Sequence, residues 1–317
     1  MNIQNSSCED VSLYIMQELG TTDYLITNIG ALNSDLELWV GLNTEIDRMP
    51  RYGYDEAEYD QNSIYAPKLK FFGLWPKAVD PTINIGGVYF GIDKLSHFLG
   101  SGYEYFKVYL GEKENGALDY KAKFSAINWG LKMENTIIGI WSVGIFSYAD
   151  LEANYQGFLM AKDFCDKSIL LYNESEWKVI KNIKIQNYIN PSWDEAYNPN
   201  SYTKEREKKI RKNIVQLGKC EKMNWKKYNQ RFALYKNRTL NDNNISEFDN
   251  LSLSNAIITM LKTKNIIVRK KIYNKIIQHY NIKWSYEGFS KYFNVLDQNN
   301  EALTLEMYCN DKVDIFK

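Results

Sequence analysis

The chain has 317 residues, 44% hydrophobic and 25% charged. That composition belongs to a folded globular chain and excludes wholesale disorder. Its 39 basic and 39 acidic residues cancel, so no global charge steers it to nucleic acid.

Ser6-Ser7 followed by Glu9 and Asp10 marks a helix start, with acidic side chains at the positive end of the dipole; the helix runs to Leu19 and stops at Gly20. A second helix spans 35–49 and ends at Pro50. Residues 51–88 mix Tyr, Gly, Pro and short apolar runs and read as a long loop with one or two short strands. Helices are predicted at about 91–111, 118–141 and 147–172, the last with Ser147 as N-cap and Asp150 closing a capping box. Trp177 to Ile189 alternates like a strand, and Pro191 to Asn200 has turn chemistry. Helices follow at about 203–217, 221–236, 251–263 and 265–280, then an irregular tail. The fold class is mainly α: a central helical bundle with a polar site, minor short strands and a helical C-terminal half.

The neutral total hides an asymmetry. Residues 1–157 hold 11 Lys+Arg against 21 Asp+Glu, and residues 158–317 hold 28 against 18. Lys204 to Arg238 alone carries 13 basic and 3 acidic residues. The expected division is an acidic helical domain over 1–175 and a basic, mainly helical region over 176–317. The basic block suits an anionic lipid surface or a polyanionic glycan, or serves as a solvated helix face. No apolar run approaches the ~20 residues of a spanning helix. Asn2 to Gln17 lacks the apolar core of a leader peptide, so no leader is visible in this chain. Cys8, Cys165, Cys220 and Cys309 are too far apart for a zinc ribbon or a CxxC site; they are buried thiols or one or two disulfides, with three full pairings open.

Three segments carry the chemistry. Asp93 and His97 are four apart, so one helix face holds both. Glu134 is an isolated acid in an otherwise apolar helix. Asp150 and Asn154 are again four apart, and Gly157 continues their face. This order, D-K-x-x-H, a lone Glu, then D-x-x-x-N-x-x-G, resembles the VanZ-like family and the related YfiM-like bacterial envelope lipoproteins over about residues 88–160. Asp93, Lys94 and His97 match the first motif, Glu134 the isolated acid, and Asp150, Asn154 and Gly157 the third. VanZ-like proteins are integral to the membrane, and this stretch is too polar to span one, so the lipoprotein branch is the closer resemblance. It implies a bacterial cell-envelope, periplasmic setting.

Three uses of these groups stand side by side. In a hydrolase acting on cell-wall or lipid-linked glycan, Glu134 in apolar surroundings would have a raised pKa and act as general acid, with Asp150 as the ionised partner. His97 with Asp93 could instead be a base and its orienter, and Asn154 completes the catalytic set. The same His97, Asp93, Glu134 and Asp150 form an oxygen-rich ligand set for a divalent metal ion. Alternatively, the polar residues form a buried network that pins three helices in a non-catalytic binding or scaffold module. His279 near a helix end reads as a solvent or dipole contact.

Overall fold

The computed structural model describes residues 6–20, 35–46, 48–49, 63–65, 81–136, 138–140, 144–198, 200–240, 265–279 and 309. Within them the protein is mainly α, with short antiparallel strand pairs. The predicted 251–263 helix and, apart from Cys309, the tail lie outside the described residues. The chain divides into two compact units. The first is Met1–Arg48, Pro81–Leu131 and Asp150–Trp193; the second is Met49–Asp80, Lys132–Ala149 and Asp194–Lys317.

In the first unit, helix Cys8–Gly20 starts as its sequence dictates. The Asp10 N–H donates to Ser7 Oγ at 3.1 Å, and the Ser7 N–H donates to Asp10 Oδ2 at 3.0 Å. Two donors at the helix end are thereby satisfied reciprocally. Val11, Ser12 and Met16 form the buried face. The Ser12 hydroxyl donates to the Ala161 carbonyl at 2.6 Å, and a Cys8–Cys165 disulfide ties the same two helices.

The helical run from Asp93 to Glu114 is not uniform. Asp93–Ser96 is α, His97–Ser101 is a π-turn, and Gly102–Glu114 is α again. Such widened turns re-aim side chains and recur at functional sites. This run packs against helix Tyr148–Asp166. A Cβ on Gly102 would lie 2.8 Å from the Gly157 Cα, and one on Gly157 would run into the Phe98 carbonyl oxygen. These glycines therefore set how closely the two backbones approach. Around that crossing, Phe98 meets Trp193 and Tyr188, while Phe158 meets Phe106, Tyr109 and Tyr155. Burial of each large ring is worth roughly 1.5–3 kcal/mol, which makes this aromatic layer the principal glue of the unit.

Several predicted boundaries move. The second helix is Asp35–Leu42 and does not reach Pro50, because Asn43 turns the chain by accepting the Glu45 N–H. The predicted 118–141 helix stops at Glu134, and Gly144 at φ 72° leads into a strand at Ile145–Phe146. Helix 147–172 ends at Asp166, because Ser168 takes φ 49°. The chain then forms a hairpin, Leu170–Asn173 with Glu176–Val179, turned by Glu174 and Ser175 at positive φ. The predicted strand 177–189 is thus cut to Val179, and Ile185–Asn187 is a 3-10 turn.

In the second unit, Ile145–Phe146 pairs with Ser201–Tyr202. Thr203 caps helix Lys204–Gln216, accepting the Arg206 N–H at 3.3 Å. Ile210 and Ile214 bury against Tyr202 and Cys309, and Cys220–Cys309 closes a second disulfide. The predicted 221–236 helix is two, Lys219–Lys222 and Trp225–Leu240, broken where Asn224 accepts the Lys227 N–H. Asp194, 4% exposed, is held by Arg231 Nη2 at 2.9 Å and by the Tyr235 hydroxyl at 2.9 Å. Burial pushes its carboxyl up, and Arg231 and Tyr235 pull against that shift.

Candidate functional site

Two backbone elements of the first unit build the site. The α-turn at 93–96 and the π-turn that follows present Asp93, Lys94 and His97; the first two turns of helix Tyr148–Asp166 present Asp150 and Asn154. The close approach at Gly102 and Gly157 brings these surfaces within side-chain reach.

Lys94 is the centre. Its side chain is 1% exposed, and Nζ lies 2.8 Å from Asp93 Oδ2 and 2.6 Å from Asp150 Oδ1. The second oxygen of Asp150 faces His97 Nε2 at 3.2 Å, and His97 Nδ1 meets Asn154 Oδ1 at 3.0 Å. A chain of contacts therefore runs Asp93, Lys94, Asp150, His97, Asn154. Both ring nitrogens of His97 face oxygen. A doubly protonated ring donates to both; a neutral ring donates to one only, to Asp150 from Nε2 or to Asn154 from Nδ1. Exposure rises along the cluster, with side chains of Asp150 at 11%, His97 at 15% and Asp93 at 34%. Asp93 is the group that an incoming molecule meets first.

The structure thus brings together four predicted residues: Asp93, His97, Asp150 and Asn154. The pairing within them differs from the expected base and orienter: His97 bonds across the helix crossing to Asp150 and Asn154, while Asp93 pairs with Lys94. The helix does begin directly after Ser147, the predicted cap, and both members of the predicted box have further partners. Lys94 draws the Asp150 carboxylate, and the Ser147 hydroxyl donates to Glu195 at 3.3 Å. Glu134, 3% exposed, belongs to the second unit, where Oε1 accepts the Ser147 N–H at 2.8 Å. The turn expected to cap the site contributes Trp193 to the first unit's core, under Phe90 and Phe98.

Two buried residues of the cluster escaped sequence reasoning. Lys94 stood inside the D-K-x-x-H motif without a role of its own. Glu37, 8% exposed, accepts the Ser96 hydroxyl next to the site. Nothing periodic marks either one; a lysine in a helix ordinarily reads as solvent-facing.

Oxygens of Asp93 and Asp150 and a nitrogen of His97 all lie within 4.8 Å of one another, the spacing of a divalent-cation ligand set. Asn154 at Nδ1 supplies the outer partner that metal-bound imidazoles carry. The ammonium of Lys94 already lies between the two carboxylates, so an entering ion has to displace it. Comparison with protein-family models, curated proteins and solved structures finds no match to this chain.

Proposed function

We propose that this chain is a bacterial cell-envelope hydrolase that acts on cell-wall or lipid-linked glycan through the Asp93, Lys94, His97, Asp150 and Asn154 cluster. The observation that carries the reading is the convergence of two carboxylates and an imidazole within 4.8 Å, at a place that opens to solvent through Asp93. Glycosidases that retain configuration hold their two carboxyl groups about 5–5.5 Å apart, and Asp93 and Asp150 offer oxygens within 4.8 Å of each other. In this scheme Asp93 exchanges a proton with the glycosidic oxygen. Asp150, braced by Lys94 and His97, faces the positive charge that develops on the sugar. The pairing of all four cysteines supports an oxidising compartment such as the periplasm. The resemblance of the motif order to VanZ-like and YfiM-like proteins points to the same setting. Lys204, Lys208 and Lys212 recur every four residues on an exposed face of helix 204–216, which suits an anionic lipid or glycan surface.

The test is turnover of purified peptidoglycan by the wild type, Asp93→Asn and Asp150→Asn, with a melting curve for each. Turnover in the wild type, lost in Asp93→Asn at an unchanged melting point, supports the hydrolase. An inactive wild type rejects it. One observation favours a second reading, a non-catalytic module with a structural network: Lys94, both ring nitrogens of His97 and both Asp150 oxygens face partners inside the cluster. That reading predicts no turnover and a large loss of stability when any central member is removed. Metal analysis of protein purified without chelator decides the divalent-cation alternative, which requires a stoichiometric ion.

A further inference from the structure

Arg206 presents a different problem in the second unit. It sits in the first turn of helix 204–216 and is only 2% exposed. Among the described residues its Nε and Nη1 have no hydrogen-bond partner and no carboxylate pairs with it. What lies against it is a ring face: the guanidinium carbon is 5.7 Å from the centroid of Tyr65. A ring face attracts the cation but offers no acceptor to the N–H groups at its edge.

The surroundings are polar in a consistent way. Tyr65 Oη and Tyr202 Oη lie 3.3 Å apart, and Asn200 hydrogen-bonds Tyr202. Asn200 is also 2% exposed and leaves Oδ1 without a partner. Three polar side chains thus gather around a positive charge that has no counter-ion among the described residues. Burial pushes the Arg206 guanidinium down, opposed only by the two phenols. Buried charges are ordinarily paired, and a buried group left unsatisfied in a native fold calls for a bound ion or water.

We propose that Arg206 anchors an oxyanion site of the second unit, lined by Tyr65, Tyr202 and Asn200, that takes the carboxylate or phosphate group of a small ligand. An oxyanion supplies acceptors for the guanidinium N–H groups and the missing negative charge in one step. Asn200 Oδ1 accepts from a hydroxyl or amide on the same ligand. Tyr65, only partly buried, is the wall nearest solvent. This site is independent of the hydrolase reading.

The experiment titrates the full oxidised chain with sodium phosphate and with sodium acetate, against sodium chloride at matched ionic strength, by calorimetry and thermal melting. Saturable binding of phosphate or acetate, with a rise in melting point absent in chloride, is expected; the anion that binds identifies the source. Arg206→Met should abolish that binding and leave the ligand-free melting point unchanged or higher. Arg206→Lys should bind about tenfold more weakly, because the charge stays while the forked geometry goes. The proposal fails if the wild type binds neither anion. It fails equally if Arg206→Met, or Arg206→Lys where the methionine variant does not fold, binds as well as the wild type.

Discussion

Lys94 and Arg206 are both buried cations, at 1% and 2% exposure, and they are treated in opposite ways. Lys94 lies between two carboxylates at 2.8 and 2.6 Å, one of which reaches on to His97. Arg206 has an aromatic face at 5.7 Å and, among the described residues, no acid paired with it. A charge leaves water at a cost of several kcal/mol unless partners replace the lost hydration. At Lys94 the fold supplies that replacement from two chain segments far apart in sequence. At Arg206 it supplies a ring and leaves the edge of the fork open. The difference teaches where stability and where ligand affinity should be sought: a satisfied cation holds the protein together, and an unsatisfied one awaits something.

The largest effect that sharpens this contrast is Lys94→Met. It leaves the Asp93 and Asp150 carboxylates facing each other, and breaking a buried pair in this way costs about 3–5 kcal/mol. Urea denaturation reads the loss, and adding Asp150→Asn to the same chain should recover part of it. Next comes Gly157→Ala, whose new methyl meets the Phe98 carbonyl oxygen. Overpacking of this kind costs about 1–3 kcal/mol, and a shifted melting point checks it. Asn154→Ala removes one hydrogen bond from His97 and should cost about 0.5–1.5 kcal/mol by the same denaturation. The smallest effect is expected at Arg206→Met, within about 0.5 kcal/mol of the wild type without ligand, since the lost contact with the Tyr65 ring is offset by relief of a buried charge. A loss there equal to that of Lys94→Met would break the comparison outright.

Much of the helical frame is legible in the residues. Ser7 with Asp10, Thr203 before Lys204, and the four-residue spacing in Asp93/His97 and Asp150/Asn154 all act locally, and each does what its chemistry predicts. Errors cluster where a local rule met a distant partner. The capping spacing of Asp150 gives no hint that Lys94, 56 positions earlier, draws its carboxylate. Lys94 itself was invisible for the same reason, since its two partners decide its burial. The helix end at Asp166 is not legible because the stop lies in backbone angles at the non-glycine residues Ser168, Glu174 and Ser175 and in a short hairpin whose strands only pairing reveals. Arg206 could not be found from sequence at all: one arginine among 13 basic residues between Lys204 and Arg238 looks like a solvated helix face.

The two disulfides impose an order on how this protein can mature. Cys8 has to wait for a partner 157 positions later, and Cys220 for one 89 positions later. A ribosome or a translocation pore releases residues in sequence, so the first helix emerges long before its covalent anchor exists. Until Cys165 appears, that helix carries an unsealed thiol that oxidant can join to the wrong sulfur. The second thiol pair stays open until residue 309 is out. Correct bridging therefore calls for a thiol-disulfide exchange catalyst wherever the chain oxidises, and the yield of correctly bridged product should track the supply of that catalyst rather than the speed of synthesis.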